Sequence, residues 1–225
     1  MLLAIDTATQ ALSIALHDGA ALAAEHTLKA DRRHSALLAP LIKQMMAQCD
    51  VTSGDLSALA VSVGPGSYTG TRIGVAMAKG MAAAAELPLV PVTTLETVLA
   101  AQAPPSDDLP LIVTVSAGRD RAIWAEYRCQ RDAWVERRAP QIRDWNGLLA
   151  ATDGRFKLCG EISDSGLEAL RRAREGGARI QVAAAGDRLR RAGYVAEIAW
   201  QRLRASGRGA FPADEVMPLY IQAPA

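Results

Sequence analysis

The sequence is poor in aromatic residues, cysteine and histidine. Phe, Trp and Tyr together make up 4% of the 225 residues, and there are three cysteines, Cys49, Cys129 and Cys159. The cysteines lie far apart and form no C-x-x-C pair, which argues against a disulfide framework and suits a reducing compartment. None of the three histidines has a second His or Cys at metal-ligand spacing. The sequence therefore predicts no metal site.

An excess of charge of one sign and a long apolar run are also missing. The chain carries 25 basic and 24 acidic side chains, so no overall field attracts nucleic acid. No uninterrupted apolar stretch reaches the roughly 18 residues needed to cross a bilayer. The N-terminus has no basic segment and reaches Asp6 almost at once, unlike a signal peptide. We therefore expect a cytoplasmic protein with no membrane contact.

What the first half does contain is a regular alternation of apolar runs and turn residues. Three short runs, with Asp18-Gly19 as a hairpin turn, predict an antiparallel meander over residues 2–28. Periodicity then predicts helices and buried strands in turn. The helices cover 33–49, 71–86 and 94–103, and the strands cover 56–63 and 88–92. This order describes an α/β unit with a mixed sheet, in which crossover helices join parallel strands to the meander.

The second half restarts with a similar pattern after a rigid, polar stretch. Residues 104–108, Pro-Pro-Ser-Asp-Asp, are the predicted boundary between domains. A second meander follows over 110–139, then a strand over 156–161, a long helix over 187–205 and an irregular tail. We predict an N-terminal domain over 1–103 and a C-terminal domain over 104–225. The long helix can pack back on the N-terminal domain.

The stretch VGPGSYTGTR, residues 63–72, lies between a strand and a helix, where proteins often hold phosphate. A P-loop beginning at Gly64 would need glycine where Thr69 stands, followed by lysine. The dinucleotide pattern G-x-G-x-x-G fails by one residue, because the glycine after Gly66 comes late, at Gly70. We therefore interpret the stretch as a turn that starts a helix with one nearly bare face. That face consists of Gly70, Gly74, Ala78 and Ala82.

Two other positions carry side chains that could take part in chemistry. Asp6 ends the first strand like a nucleotide-site carboxylate, so Asp6 and Thr7 are the candidates for a cofactor site, but a lone carboxylate there is not a specific signal. His34 begins the first predicted helix, and Leu38 stands where a second histidine would complete a metal pair. We expect His34 at the surface or as a helix cap. The sequence predicts no catalytic residue, no cofactor and no metal.

Four segments in order resemble the bacterial TsaB (YeaZ) family: LLAIDTATQALSIAL, HSALLAPLI, VGPGSYTGTRIGVAMAKGMA and PVTTLETVL. They cover most of residues 1–100, and the resemblance is weak beyond residue 130. It implies an actin-like (ASKHA, ribonuclease H-like) fold of two domains, each with a mixed sheet and flanking helices. It also implies a part in the synthesis of threonylcarbamoyladenosine, the modified base beside the anticodon in tRNAs that read codons starting with A.

The resemblance implies a non-catalytic scaffold rather than an enzyme. Family members assist TsaD, a catalytic paralogue, together with the ATPase TsaE, while TsaC supplies threonylcarbamoyl-adenylate. The paralogue carries an H-x-x-x-H metal pair on its first helix, where this chain has His34 and Leu38. Actin-like kinases and ATPases place a glycine soon after the first-strand acid, where this chain has Thr7-Ala8-Thr9. The implied partners are a TsaD-like paralogue, a TsaE-like ATPase and tRNA through the complex, with a homodimer as the alternative when the protein is alone.

The partner interface is predicted on the first two helices, as half of a helix bundle that the paralogue completes. The helix over 33–49 has a wide apolar stripe, and the next helix offers Gly74 and Ala78 for close backbone approach. The predicted interface residues are His34, Leu37, Leu38, Leu41, Ile42, Met45, Gly70, Arg72, Gly74, Met77 and Ala78. The alternative is that both stripes pack on the sheet of their own domain.

Two enzyme classes remain open at this stage. A metal-dependent transferase or peptidase of the same superfamily would use His34 as a ligand, which the leucine at position 38 argues against. A dinucleotide-dependent oxidoreductase would bind its cofactor at residues 64–70, and the glycine spacing there argues against it.

Overall fold

The computed structural model describes residues 1–103, 108–131 and 133–221. The chain divides into two units. The first unit combines Met1–Thr97 with Arg190–Leu219, and the second contains Val98–Leu189. The predicted boundary at 103–104 lies a few residues after the observed division. Most of the predicted linker, residues 104–107, falls outside the described residues.

The first unit is built on a five-stranded mixed sheet. Its strands are β1 (Leu2–Asp6), β2 (Ala11–His17), β3 (Leu22–Lys29), β4 (Ala58–Ser62) and β5 (Leu89–Val92), in the order β3-β2-β1-β4-β5. The first three pair antiparallel, and β1, β4 and β5 pair parallel. Asp18 closes the first hairpin by accepting bonds from the N–H groups of Ala20 and Ala21. The predicted meander and the two parallel strands are therefore confirmed.

The second unit repeats this topology. Its strands are β6 (Leu111–Ser116), β7 (Arg121–Gln130), β8 (Ala133–Asp144), β9 (Arg155–Gly160) and β10 (Arg179–Val182), in the order β10-β9-β6-β7-β8. The meander is again antiparallel, and β9 pairs parallel with β6 and β10. The prediction of two related α/β halves is confirmed. The last strand was missed, because Arg179 and Gln181 leave it no continuous apolar run.

The helices are α1 (His34–Gln48), α2 (Tyr68–Ala85), α3 (Thr94–Ala100), α4 (Trp145–Ala150), α5 (Asp164–Glu175) and α6 (Ala192–Ser206). Helices α4 and α5 were not predicted. The second of these presents mainly charged residues, with Arg171 paired to Glu168 and Glu175 on its surface, and only a narrow apolar edge. Among the described residues, none of the helices is both long enough and apolar enough to pass through a membrane.

The two faces of the first sheet are covered by different parts of the chain. Leu3 and Ile5 point into a cluster with α1 and α2, whereas Leu2 and Ala4 point into a cluster with α6. This alternation follows from the two-residue repeat of a strand, and it makes β1 buried on both sides. The sequence places residues 104–225 in the second domain and allows the long helix over 187–205 to pack back on the first domain. In the structure, 190–219 group with the first unit, because α6 supplies the apolar surface that covers this second face.

Candidate functional site

The Asp6 carboxylate is buried and is bound by Arg190, which is distant in the sequence but belongs to the same unit. Asp6 is 1% exposed and Arg190 is 2% exposed. The Nε of Arg190 lies 2.7 Å from Oδ2 of Asp6, and its Nη2 lies 3.2 Å from Oδ1. Oδ1 also accepts a bond of 2.9 Å from the N–H of Ala8. Both oxygens of the candidate cofactor carboxylate are therefore engaged by groups of the protein itself.

The turn after Asp6 is held by the protein on its other side as well. The hydroxyl of Thr7 donates to the carbonyl of Gly70 over 2.7 Å, in buried surroundings. The hydroxyl of Thr9 accepts a bond of 2.9 Å from Nη2 of Arg190. The carbonyl of Ala8 accepts from the N–H of Ser67 over 2.6 Å. The Asp6 carboxylate and the Thr7 hydroxyl are thus both bonded to groups of the protein itself.

Polar backbone groups of residues 63–72 likewise form hydrogen bonds within the first unit. The N–H groups of Gly70 and Thr71 donate to the hydroxyl and the carbonyl of Ser67, so they are used to start α2. Gly64 adopts a positive φ of 98°, and a Cβ atom there would lie 2.7 Å from the carbonyl of Leu219. The loop is closed by the β1–β2 turn and by the C-terminal segment. The Asp6 carboxylate and the N–H groups of Ser67, Gly70 and Thr71 are thus bonded within the unit, and in this arrangement they do not fit a metal–nucleotide complex.

His34 is buried rather than at the surface, and it does not cap the helix. It is 4% exposed, and its Nε2 lies 3.4 Å from the carbonyl of Ala11. The N-cap of α1 is Arg33, so the expected surface or capping role of His34 is wrong. Leu38, one turn on, is a fully buried core residue. Among the residues that the structure describes, no three His, Cys, Asp or Glu side chains are grouped closely enough to hold a metal.

The predicted interface residues separate into a buried and an accessible set. The buried set packs within the first unit and consists of His34, Leu38, Ile42, Met45, Gly70, Gly74 and Ala78. The accessible set consists of Leu37, Leu41, Arg72 and Met77. Arg72 stacks on the ring of Tyr68, 3.8 Å from its centre, in the first turn of α2. Direct contact with another protein is open only to the accessible set and to the edges of the buried one.

The bare face of α2 is used for close packing inside the unit. A Cβ atom on Gly70 would overlap the carbonyl oxygen of Thr7, and one on Gly74 would overlap its hydroxyl oxygen. The close approach predicted for these glycines is therefore real, but what approaches is Thr7, the residue directly after β1. The sequence pattern showed that a neighbour was needed and carried no signal for which neighbour it was.

An apolar groove of about 400 Å³ lies between α1, α2 and the turn that follows α1. Met46 of α1 and the pair Met77 and Met81 of α2 line it, with Ile42 at its base and Lys43 beside them. Only Ile42 and Met77 belong to the predicted interface. The four-residue spacing of Met77 and Met81, which places both on one side of a helix, is the signal that could have added Met81.

Cys159 is a buried thiol in the second unit and is not set up as a nucleophile. Burial raises its pKa from the usual 9.0 to about 12, so the thiolate is absent near neutral pH. Its Sγ lies 3.4 Å from the carbonyl of Asp187, to which the thiol donates. Cys159 is therefore not a candidate for nucleophilic chemistry.

Comparison with known proteins shows which family the chain resembles. A family model described as TsaD, tRNA N6-adenosine threonylcarbamoyltransferase, matches residues 26–169, well over half of the chain. The tRNA threonylcarbamoyladenosine biosynthesis protein TsaB of Escherichia coli is 37% identical over 131 residues, which are 58% of this chain and 55% of that protein. The chain belongs to the family that the model over residues 26–169 describes, and within that family it is a TsaB/YeaZ protein. The TsaB protein of Bacillus subtilis is 40% identical over 99 residues, 44% of this chain and 43% of that one.

Solved structures support the same fold for this TsaB/YeaZ family member. YeaZ from Pseudomonas aeruginosa superposes with a TM-score of 0.73 at 21% identity, covering 98% of this chain and 99% of that one. Component A of (R)-2-hydroxyglutaryl-CoA dehydratase from Acidaminococcus fermentans gives a TM-score of 0.50 at 12% identity, covering 90% and 98%. The predicted actin-like fold is confirmed. The matched segments span about half the length of the curated relatives.

Proposed function

We propose that this protein takes part in the synthesis of threonylcarbamoyladenosine in tRNA, as a non-catalytic subunit. In this proposal it supports transfer of the threonylcarbamoyl group to the adenosine beside the anticodon of tRNAs that read codons starting with A. Family membership and the names of the TsaB relatives support the process. The partners are a TsaD-like catalytic paralogue, a TsaE-like ATPase and, through the complex, tRNA. A cytoplasmic location is part of the same proposal.

The observation that carries the non-catalytic role is the state of Asp6 and His34. The carboxylate of Asp6 is neutralised by Arg190, and His34 is buried beside the core residue Leu38. A catalytic subunit needs a charged or metal-binding group that reaches its substrate. At these two positions the side chains instead bind to their own unit.

The α1–α2 groove is the surface we assign to the paralogue. Methionine side chains are flexible and polarisable, so Met46, Met77 and Met81 can adapt to apolar side chains of a partner helix. Interfaces of this kind have an apolar centre and a charged rim, and Lys43 occupies the rim position here. A paralogue with the same two helices can complete a bundle across the groove.

The test is binding between this protein and the TsaD-like protein of the same organism. We expect the wild-type proteins to associate, and Met77→Arg and Met81→Arg each to weaken binding by roughly 30-fold or more, because the groove would desolvate an unpaired charge. The measurement is isothermal calorimetry, followed by threonylcarbamoyladenosine content of tRNA in cells that carry each variant.

Ala205→Arg is the matched control, because it adds the same charge at an exposed position of α6, against the opposite face of the sheet. It should bind and support modification as the wild type does. Absence of any association between the wild-type proteins would contradict the proposed function. Folded groove variants that bind normally would contradict the assignment of the interface.

A further inference from the structure

We infer that Arg190 supplies, from within the chain, the positive charge at Asp6, so that this end of the first unit is closed to a metal–nucleotide complex. The fold is one in which kinases and ATPases place phosphate beside the first-strand acid. In this chain the same carboxylate carries an internal cation. The inference concerns the first unit alone and holds whatever partner the protein has.

The geometry of the pair makes Arg190 an adequate substitute for a bound cation. Two nitrogens of the planar guanidinium reach the two oxygens of Asp6, which is the arrangement that gives arginine its advantage over lysine at carboxylates. A third contact goes to the hydroxyl of Thr9. Since both charged groups are removed from water, each is stable there only because the other is present.

The space around the pair is filled by protein. The backbone of Gly66 approaches the carbonyl of Ala8 so closely that a Cβ atom on Gly66 would overlap it. The bond from Ser67 to the same carbonyl holds the loop against the β1–β2 turn. A phosphate at this turn would have to displace both the loop and the arginine.

Arg190 is also the first residue of the segment that returns to the first unit. Directly after it, the N–H of Ala192 donates to the hydroxyl of Ser13 over 2.8 Å, and that of Gly193 donates to the Glu25 carboxylate over 2.7 Å. The start of α6 is therefore bound to β2 and β3 by groups of the chain itself. The Asp6–Arg190 pair is the buried end of this attachment, and it orders α6 with no ligand.

The experiment uses the full chain and Mn²⁺ as the probe, with and without ATP, followed by the electron paramagnetic resonance signal of free Mn²⁺. We expect the wild type to bind no Mn²⁺ in either condition. Arg190→Met and the double variant Asp6→Asn/Arg190→Met should also bind none, because a single carboxylate lacks the further oxygen ligands that the ion needs, and the described residues hold no group of three His, Cys, Asp or Glu side chains. Arg191→Met is the matched control, because that neighbouring arginine pairs with Glu25 at the surface, and it should behave as the wild type.

Thermal unfolding of the same variants tests the pair itself. Arg190→Met should lower the melting temperature by roughly 6–20 °C, because a buried carboxylate loses its partner, and the double variant should recover part of this loss. If Arg190→Met does not fold, recovery of a cooperative transition in the double variant supports the inference. A double variant as unfolded as the single one would overturn it. So would wild-type binding of Mn²⁺–ATP that Asp6→Asn abolishes.

Discussion

At the scale of single residues, two glycines of the same helix have opposite roles. Gly74 lies against the hydroxyl of Thr7 so closely that no side chain fits. At Gly80, six residues further along α2, a Cβ atom would meet no described atom within 4 Å apart from its chain neighbours and the backbone of its own helix. Helical glycine lowers stability in both places, but only at position 74 does a tertiary contact require it.

We therefore expect the alanine variants of these glycines to change stability in opposite directions. Gly74→Ala should lower the free energy of unfolding by about 1–3 kcal/mol, because the added methyl group overlaps the Thr7 hydroxyl and forces α2 away from it. Gly80→Ala, the control, should raise it by roughly 0.5–1 kcal/mol through the better helix propensity of alanine. Urea denaturation measures both. Equal stabilisation by the two changes would show that α2 has room at Thr7.

At the scale of elements, the start of α2 joins the helix to the sheet. The hydroxyl of Ser67 accepts a bond of 3.2 Å from the N–H of Gly70, and the N–H of Ser67 donates to Ala8 in the turn after β1. One residue thus caps the helix with its side chain and attaches it with its backbone. The loop over residues 63–72, which resembles a phosphate site in the sequence, thus caps α2 and attaches it to the turn after β1.

The cap can be tested separately from the attachment. Ser67→Ala should lower the free energy of unfolding by about 1 kcal/mol, since it removes the capping oxygen and keeps the backbone bond. Ser67→Asp should restore most of the loss, because a carboxylate also accepts from the first turn and interacts favourably with the helix dipole. Guanidinium denaturation is the measurement. An aspartate variant as unstable as the alanine variant would argue against the cap.

At the scale of the whole molecule, the first unit depends on two stretches that are far apart in the chain. Residues 1–97 form the sheet with α1 and α2, and α6 covers the other face through Val195, Ala199 and Leu203. Without α6, the apolar surface of Leu2 and Val90 would face water, which costs roughly 25 cal/mol for each Å².

A fragment of residues 1–97 should therefore fail to unfold cooperatively and should bind a hydrophobic dye. The same fragment joined to residues 190–221 by a flexible Gly/Ser linker should show a cooperative thermal transition by circular dichroism. Both arms carry the same sheet and the same α1 and α2, so the comparison isolates the returning segment. A cooperative transition in the shorter fragment would show that α6 is dispensable for the unit.

Much of the fold could be predicted because the relevant signals are local. Asp18-Gly19 marks a hairpin wherever it occurs between apolar runs, and the spacing of Leu38, Ile42 and Met45 gives α1 its inner side. These patterns report the backbone period and the presence of a buried face. They failed for α5, because this helix packs through only a narrow apolar edge. Its sequence has more charged than apolar residues, so it shows no wide apolar stripe.

The sequence by itself determined the family, the alternation of strands and helices, and the need for a close neighbour along Gly70 and Gly74. Only the tertiary structure decided that this neighbour is Thr7. It also paired Asp6 with an arginine 184 residues away, which no local pattern can indicate. Propensity and periodicity act over a few residues, whereas the partner of a buried charge or of a bare helix face is set by how distant segments pack.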